Sequence, residues 1–420
     1  MFAQRLAQVS ESATMKVAAE AERLRRAGHD VVDFSVGEPD FPTPEHIKAA
    51  AKDALDKNFT RYTAVAGIPE LREAICARYK ADYGVTITPA EVLATFGGKQ
   101  ALYNAALALM NPGDEVITHA PYWPTIPEQV KLVEATPVIV HTNWQDSFAV
   151  HADKILAAIT PKTKAIILNS PSNPTGALID ESAVAAIADA AATRGIWIIV
   201  DLCYEHLIYE DVPHNLPKVL FDRHRDRTVL ACSASKAYAM TGWRAGWTIA
   251  PAALTKMFNT IQGQTTSNIT SVTQKAALAA LTGSQDAVKS MLDEYRRRRD
   301  AIHEWLTANP GIKCVKPSGA FYLFPDISRL LSPDGVKTSF EFAQQLLEKE
   351  FVVVTPGEAF DAPGYLRISY ATSMEQLREG ATRILRFAES IQPASLRAGV
   401  EVAGVVTFLA AVGEGQIVSL

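Results

Sequence analysis

Four short clusters of polar residues each begin where an apolar run stops, and a chain patterned this way has few ways to fold. The clusters are Gly97-Gly98-Lys99-Gln100, Asn169-Ser170-Pro171-Ser172-Asn173-Pro174-Thr175-Gly176, Asp201, and Ser233-Ala234-Ser235-Lys236. The runs ahead of them, at 92–96, 165–168, 196–200 and 228–231, read as strands, and Ala-rich stretches with helical punctuation lie between them. This alternation marks a mostly parallel sheet covered by helices. In such a sheet ligands bind beyond the carboxyl ends of the strands, so a single site can gather all four clusters.

Further strands are expected at 115–118 and 246–249. One helix is expected at 99–110, after a Gly-Gly and up to Asn111-Pro112-Gly113; another is expected at 181–194, between Asp180 as N-cap and Gly195 as C-cap. After about Asp286 the pattern changes to a long polar helix at 290–308, short strands at 321–324 and 366–369, and helices at 339–349 and 374–390. That change marks a second, smaller α+β unit, with a helix at 14–27 packing on it. The expected division is a large unit at 43–287, a discontinuous small unit at 1–42 and 288–392, and a tail at 393–420 that is either an added surface element or a non-native extension.

Charge and cysteine content remove several classes of function. Among 420 residues, 41 basic and 46 acidic side chains leave a formal charge of -5, which supplies no global attraction for nucleic acid or anionic membranes. The run Arg296 to Arg299 is interleaved with Asp293, Glu294, Asp300 and Glu304 at helical spacing and reads as a solvated helix face. Cys76, Cys203, Cys232 and Cys314 are too few and too scattered for a disulfide framework or a metal site, which fits a reducing cytoplasm. No signal-peptide pattern and no apolar stretch of the ~20 residues needed to span a bilayer is visible, so a soluble chain is expected.

The clusters carry complementary chemistry. Gly97-Gly98 lets backbone approach a ligand, and the helix that comes next points unsatisfied N–H groups at an anion such as phosphate; alone, the same pair is an ordinary tight turn. Asp201 comes directly after the apolar run 196–200 and so calls for a cationic partner if buried, although a lone Asp here also reads as a cap or loop residue. Lys236, flanked by Ser233 and Ser235, is either a surface lysine or a desolvated amine of the type used in Schiff-base chemistry. Arg244, in Thr241-Gly242-Trp243-Arg244, is near enough to clamp a phosphate.

Further motifs share this order along the chain: Ser35-Val36-Gly37-Glu38-Pro39-Asp40-Phe41, Tyr62 with Ala66-Gly67-Ile68-Pro69, Pro121-Tyr122-Trp123, Tyr204, Gly242-Trp243-Arg244-Ala245-Gly246, and Leu366-Arg367-Ile368-Ser369-Tyr370. Taken with the four clusters, they resemble the class I/II pyridoxal-phosphate aminotransferases, nearest to the bacterial aspartate aminotransferases, over roughly residues 10 to 390. The resemblance implies the α/β fold of that family, with a mostly parallel seven-stranded sheet and a smaller α+β domain. It implies pyridoxal 5'-phosphate attached to Lys236, whose amine also moves the substrate proton. Asp201 would pair with the pyridine nitrogen, Tyr204 and Asn173 would bond the ring's phenolic oxygen, and Trp123 would stack on the ring. Gly98, Lys99, Ser233 and Arg244 would surround the phosphate, with Tyr62 reaching in from a second copy of the chain in a homodimer, and Gln100 would count among the cofactor-binding residues. The substrate α-carboxylate would meet Arg367, helped by Asn173 and the Gly37 backbone, with Trp123 bordering the same space.

The reaction implied by the resemblance is transfer of an amino group between an L-amino acid (aspartate, glutamate or a related aromatic or neutral one) and a 2-oxo acid such as 2-oxoglutarate. Decarboxylation, β-elimination or oxidation with the same cofactor is the alternative, and a non-catalytic cofactor-binding regulator is a third reading that the presence of Lys236 and Arg367 disfavours. Leu202 and Cys203 depart from the acidic and aliphatic residues usual in the family between the ring-flanking Asp and Tyr. Cys203 reads as a small buried hydrophobe and not a reactive thiol. No residue stands out as the grip for a second substrate carboxylate; residues 264–268 and 12–14 are where one is expected.

Overall fold

The computed structural model describes residues 3–10, 13–209 and 212–393. A two-residue strand β1 (Val32–Asp33) precedes the main sheet, which is built from β2 (Val92–Thr95), β3 (Glu115–Ala120), β4 (Thr136–His141), β5 (Thr163–Asn169), β6 (Trp197–Asp201), β7 (Thr228–Ser233) and β8 (Gly246–Ile249). Their order is β2-β8-β7-β6-β5-β3-β4, and only β8 runs antiparallel to its neighbours. Side chains alternate between two cores, as the period of two requires when both faces are covered. Ile166, Leu168, Ile198, Val200 and Leu230 enter one core, whereas Ala165, Ile167, Ile199, Val229 and Ala231 enter the other.

The first core is covered by helices that include Pro69–Tyr83, Glu181–Arg194 and Ser271–Thr282, and the second by Gly98–Leu109, Thr125–Leu132 and Ala252–Thr265. Helix Glu181–Arg194 has the expected ends: the Asp180 side chain accepts from Ser182 N–H at 2.7 Å, and Gly195 closes it at φ 67°. Strand β4, unread in the sequence, lies at the sheet edge. Its Pro137 breaks the strand signal and its residues are only half-buried, which an edge tolerates.

The remaining strands form two small sheets: antiparallel β9 (Tyr322–Leu323), β11 (Thr355–Pro356) and β12 (Leu366–Ser369), and β10 (Val352–Val353) parallel to β1. Helices Asp286–Thr307, Ser339–Glu350 and Met374–Ile391 pack on them around a separate core that includes Phe342, Leu346, Ile368 and Phe387. Helix Ala13–Arg26 lies against β10 and β11. The tail from 394 lies outside the described residues.

The arginine run departs from the expected solvated face. Arg296 and Arg297 do pair along the helix surface with Asp293 and Glu294, but Arg298 and Arg299 are 5% and 3% exposed. Arg298 donates to Asp40 at 2.7 Å and Glu294 at 2.8 Å, with its guanidinium over the Phe41 ring. Arg299 donates to Pro317 O at 2.9 Å. The 3.6-residue period turns half of a four-residue run inward, where long planar side chains find carboxylates and carbonyls.

Candidate active site

Strands β5, β6 and β7 are neighbours, so their carboxyl ends bring Asn169, Asp201 and Ser233 side by side, with Asn169 in register with Asp201. Asp201 is 3% exposed, and its Oδ1 accepts from Cys203 N–H at 3.0 Å. Burial pushes its carboxyl up to about 6, against the pull of that N–H and of Lys236. Among the described residues no cation lies within ion-pair distance of it, so this carboxylate is set to receive a cationic group. Cys203 is half-buried, and desolvation pushes its thiol up to about 12.

Lys236 lies just past the end of β7, and its ammonium donates to Gly37 O while standing 5.5 Å from the Phe321 ring centre and 5.8 Å from that of Tyr204. Tyr204, 4% exposed, shares a 2.8 Å hydrogen bond between its hydroxyl and that of Tyr322. No sequence motif marks Tyr322, yet it packs against Gly37, Tyr204 and Arg367. Its hydroxyl lies 2.8 Å from where a Cβ at Gly37 would stand, and its ring lies 4.5 Å from the Arg367 guanidinium. That close approach gives Gly37 a reason to be glycine.

Arg367 is 4% exposed. It donates to Asn173 Oδ1 at 3.1 Å and to Ser35 O at 2.7 Å, and lies between Tyr322 and Phe360. Its Nε is buried without a partner, an unmet donor at a site suited to an incoming anion. Ser35 and Phe360 thus join the site although no chemical signal in the sequence marks a carbonyl or a stacking ring.

At the other end, the first-turn N–H groups of helix Gly98–Leu109, which include Gly98 and Lys99, have no intrahelical acceptor. Gly97 sits at φ 78°, and a Cβ there would meet Arg244 Nη2 at 2.7 Å, so glycine lets the guanidinium close on this turn. Arg244 donates to Thr241 O at 2.8 Å and Phe96 O at 3.2 Å. A Cβ at Gly98 would lie 3.5 Å from Ser233 Cβ, and Ser233 Oγ bonds Ser235 Oγ at 2.8 Å. Gly97 thus meets Arg244 and Gly98 meets Ser233, which brings both side chains to the N-terminus of this helix. The Gln100 side chain is engaged elsewhere: its Oε1 accepts from Phe96 N–H at 2.7 Å, its Nε2 donates to Thr266 at 2.6 Å, and its own N–H bonds Gly97 O. It shapes the turn that Gly97 makes possible.

Trp123 is partly buried, with the Lys99 ammonium 5.1 Å from its ring centre. Burial, and then repulsion from Arg244, lower the Lys99 amine from its ordinary value. Of the segments expected to bear on a second carboxylate, 264–268 reaches the site's edge through the Thr266 bond to Gln100, and Ser12 lies outside the described residues. Tyr62 is not brought to the site within one chain: it is 90% exposed, and its hydroxyl makes no hydrogen bond among the described residues.

The buried Asp201 without a cation, the unmet Nε of Arg367 and the glycine cradle under Arg244 all fit a phosphorylated pyridine cofactor together with a carboxylate substrate.

A family model described as aminotransferase class I and II matches residues 29–384. The chain is 45% identical over 388 residues to an aspartate/prephenate aminotransferase of Cereibacter sphaeroides, covering 91% of this chain and 97% of that protein. It is 40% identical over 389 residues to an aspartate aminotransferase of Geobacillus stearothermophilus, covering 93% and 99%. Among solved structures, the aspartate aminotransferase from Rhizobium meliloti superposes with a TM-score of 0.88 at 38% identity, covering 93% of this chain and 99% of that one. The Thermus thermophilus aspartate aminotransferase with maleate superposes with a TM-score of 0.86 at 41% identity, covering 92% and 99%.

Proposed function

The chain belongs to the class I and II aminotransferases and is an aminotransferase acting on amino and oxo acids, and from that premise we propose that it works with pyridoxal 5'-phosphate on a dicarboxylic amino acid such as aspartate or glutamate, with 2-oxoglutarate as acceptor. The observation that carries this reading is a pair of arginines at two glycine-bearing turns, with a buried carboxylate and a lysine at the ends of the neighbouring strands. Arg367 is buried with its Nε unmet and held to Ser35 O, Arg244 closes on Gly97 at a helix N-terminus, Asp201 is buried without a cation, and Lys236 bonds Gly37 O.

When bound, the cofactor would supply an electron sink for the pair left on the substrate Cα as its proton departs. Lys236 would hold the cofactor through its amine and, once freed by the substrate amine, carry the proton at Cα. Asp201 would keep the ring nitrogen protonated, and burial favours such pairing because a lone carboxylate is costly there. Tyr204 and Asn173 would direct donors at the phenolic oxygen, and Trp123 would cover the ring face. Gly98, Lys99, Ser233 and Arg244 would bind the phosphate, joined by Tyr62 of the partner subunit in a homodimer. Arg367, with Asn173 and the Gly37 backbone, would orient the α-carboxylate. The Lys99 ammonium, which has no carboxylate partner among the described residues, suits the distal carboxylate of a dicarboxylic substrate. We also propose the division into units at 1–42 with 288–392 and at 43–287, supported by their separate sheets, although Tyr204, Leu207 and Tyr209 of the larger unit pack into the core of the smaller. A cytoplasmic setting fits the free cysteines.

The test is to load the purified protein with pyridoxal 5'-phosphate, add one amino acid at a time, and monitor visible absorbance. Aspartate or glutamate alone should convert the spectrum, and 2-oxoglutarate should restore it. Release of carbon dioxide or ammonia without such cycling would overturn transamination. Faster conversion by neutral amino acids than by dicarboxylic ones would overturn the role given to Lys99.

A further inference from the structure

Asn169, 2% exposed at the end of β5, joins three neighbours through its side chain and its backbone. Its Nδ2 donates to Asp201 O at 3.3 Å, its Oδ1 accepts from Asn173 N–H at 2.8 Å, and its backbone N–H donates to His119 Nε2 at 3.3 Å. The two side-chain partners settle which way the amide points, because a carbonyl can only accept and an N–H can only donate. The third bond is supplied by a side chain because the β3–β5 ladder ends at Thr118 and Ile167. Beyond that point the imidazole of His119, 4% exposed, provides the acceptor. To accept at Nε2 the ring must be neutral with its proton on Nδ1, and burial lowers His119 to about 4, which keeps it so.

The partners of this amide are the two residues that the proposed function assigns to opposite tasks. Asp201 would face the ring nitrogen, and Asn173 holds Arg367 through its own Oδ1. We propose that Asn169 is a positioning residue for the transfer reaction, fixing the spacing between Asp201 and Asn173, with His119 as the neutral acceptor that fixes Asn169. The inference rests on the reading that Asp201 and Asn173 serve the cofactor and the substrate. Asn169 itself touches neither.

Three measurements on the cofactor-loaded enzyme test it: the cofactor dissociation constant, the pH midpoint of the visible absorbance, and kcat and KM for the amino donor. Asn169→Ala removes both side-chain bonds and should lower kcat about tenfold, by the usual worth of one to two hydrogen bonds. It should also shift the absorbance midpoint and raise KM several-fold. His119→Leu should move the same quantities in the same direction by less, and His119→Gln, whose amide oxygen can accept from Asn169 N–H, should restore most of the loss. The control is Val184→Ala, in the buried face of helix Glu181–Arg194, which weakens the fold without touching this network. If it reproduces the midpoint shift at equal loss of thermal stability, Asn169 is merely structural and the proposal falls. If Asn169→Ala does not fold, the contrast between His119→Leu and His119→Gln decides, and equal behaviour of those two overturns the proposal. Wild-type midpoint and kinetics in Asn169→Ala would also overturn it. An Asp201→Ala enzyme that keeps its cofactor affinity and absorbance midpoint would instead overturn the underlying assignment of Asp201.

Discussion

Arg367 donates to Asn173 Oδ1 at 3.1 Å across 194 positions of sequence, and that bond fixes the fork of the guanidinium before any substrate arrives. A fork held in place at Nη1 and Nη2, with Nε unmet, can meet a carboxylate with little further ordering.

Arg367→Lys keeps the charge but loses the fork, so kcat/KM should fall for every amino acid by about a hundredfold, in line with loss of charge-assisted hydrogen bonds of about 1.5 to 3 kcal/mol. Cofactor affinity should change little. Arg244→Lys should show the opposite pattern and weaken cofactor retention first. Steady-state kinetics paired with cofactor titration distinguish the two; exchanged results would mean that the carboxylate and phosphate ends have been assigned the wrong way round.

Asp201 makes stability depend on pH in a definite direction. Burial raises its folded-state value from 3.8 to about 6, so in the cofactor-free protein the folded state keeps a proton that the unfolded state has lost. Stability from this group therefore falls as pH rises from about 4 to about 6 and is level above, a loss of roughly 3 kcal/mol at most. Asp201→Asn should remove the dependence, leaving the cofactor-free variant more stable than the parent at pH 7 and nearly equal to it near pH 3. Urea denaturation at the two values checks this, and an equal difference at both would refute it.

Lys236→Ala should abolish turnover by at least the ~10² to 10⁴ typical of a lost general base, while thermal stability stays near that of the parent. The amine's hydrogen bond goes to Gly37 O and its stem is only partly buried, so little packing is lost. Near-normal transfer rates in the variant would remove Lys236 from the chemistry.

Tyr62, 90% exposed in one chain, is expected to work in the neighbouring subunit. Mixed dimers of Tyr62→Phe and Lys236→Ala chains test this. If the hydroxyl crosses the interface, one of the two sites in a mixed dimer has both Lys236 and a partner's tyrosine intact, and activity with parental cofactor affinity returns. If it acts within its own chain, every mixed site carries one defect and no parental site is regenerated.

The large sheet was readable because its strands are apolar on both faces and end in chemically distinctive residues, as at Val200-Asp201. Strand β4 escaped because an edge position with Pro137 lacks that continuity. The candidate site was legible where a side chain itself would carry the proposed chemistry, as with Lys236, Asp201 and Arg367. It was illegible where the contribution is a backbone atom or a tertiary contact. Ser35 acts through its carbonyl, Tyr322 through a hydroxyl bond to Tyr204 and contact with Gly37, and Gln100 is drawn away by Thr266, a partner 166 positions distant.

The bond from Arg367 to Ser35 O spans 332 positions, so it also sets a clock on biosynthesis. At ~5 to 20 residues per second, Ser35 leaves the ribosome about 20 to 60 seconds before its partner has been made. Once β8 has emerged the nascent chain can assemble the main sheet, and with it Asp201 and Lys236, but it still lacks Arg367, the residue proposed to seat the substrate. On the role proposed for Arg367, enzymatic competence would arrive late and all at once, and a chain truncated anywhere before β12 should be inert however well its sheet has formed.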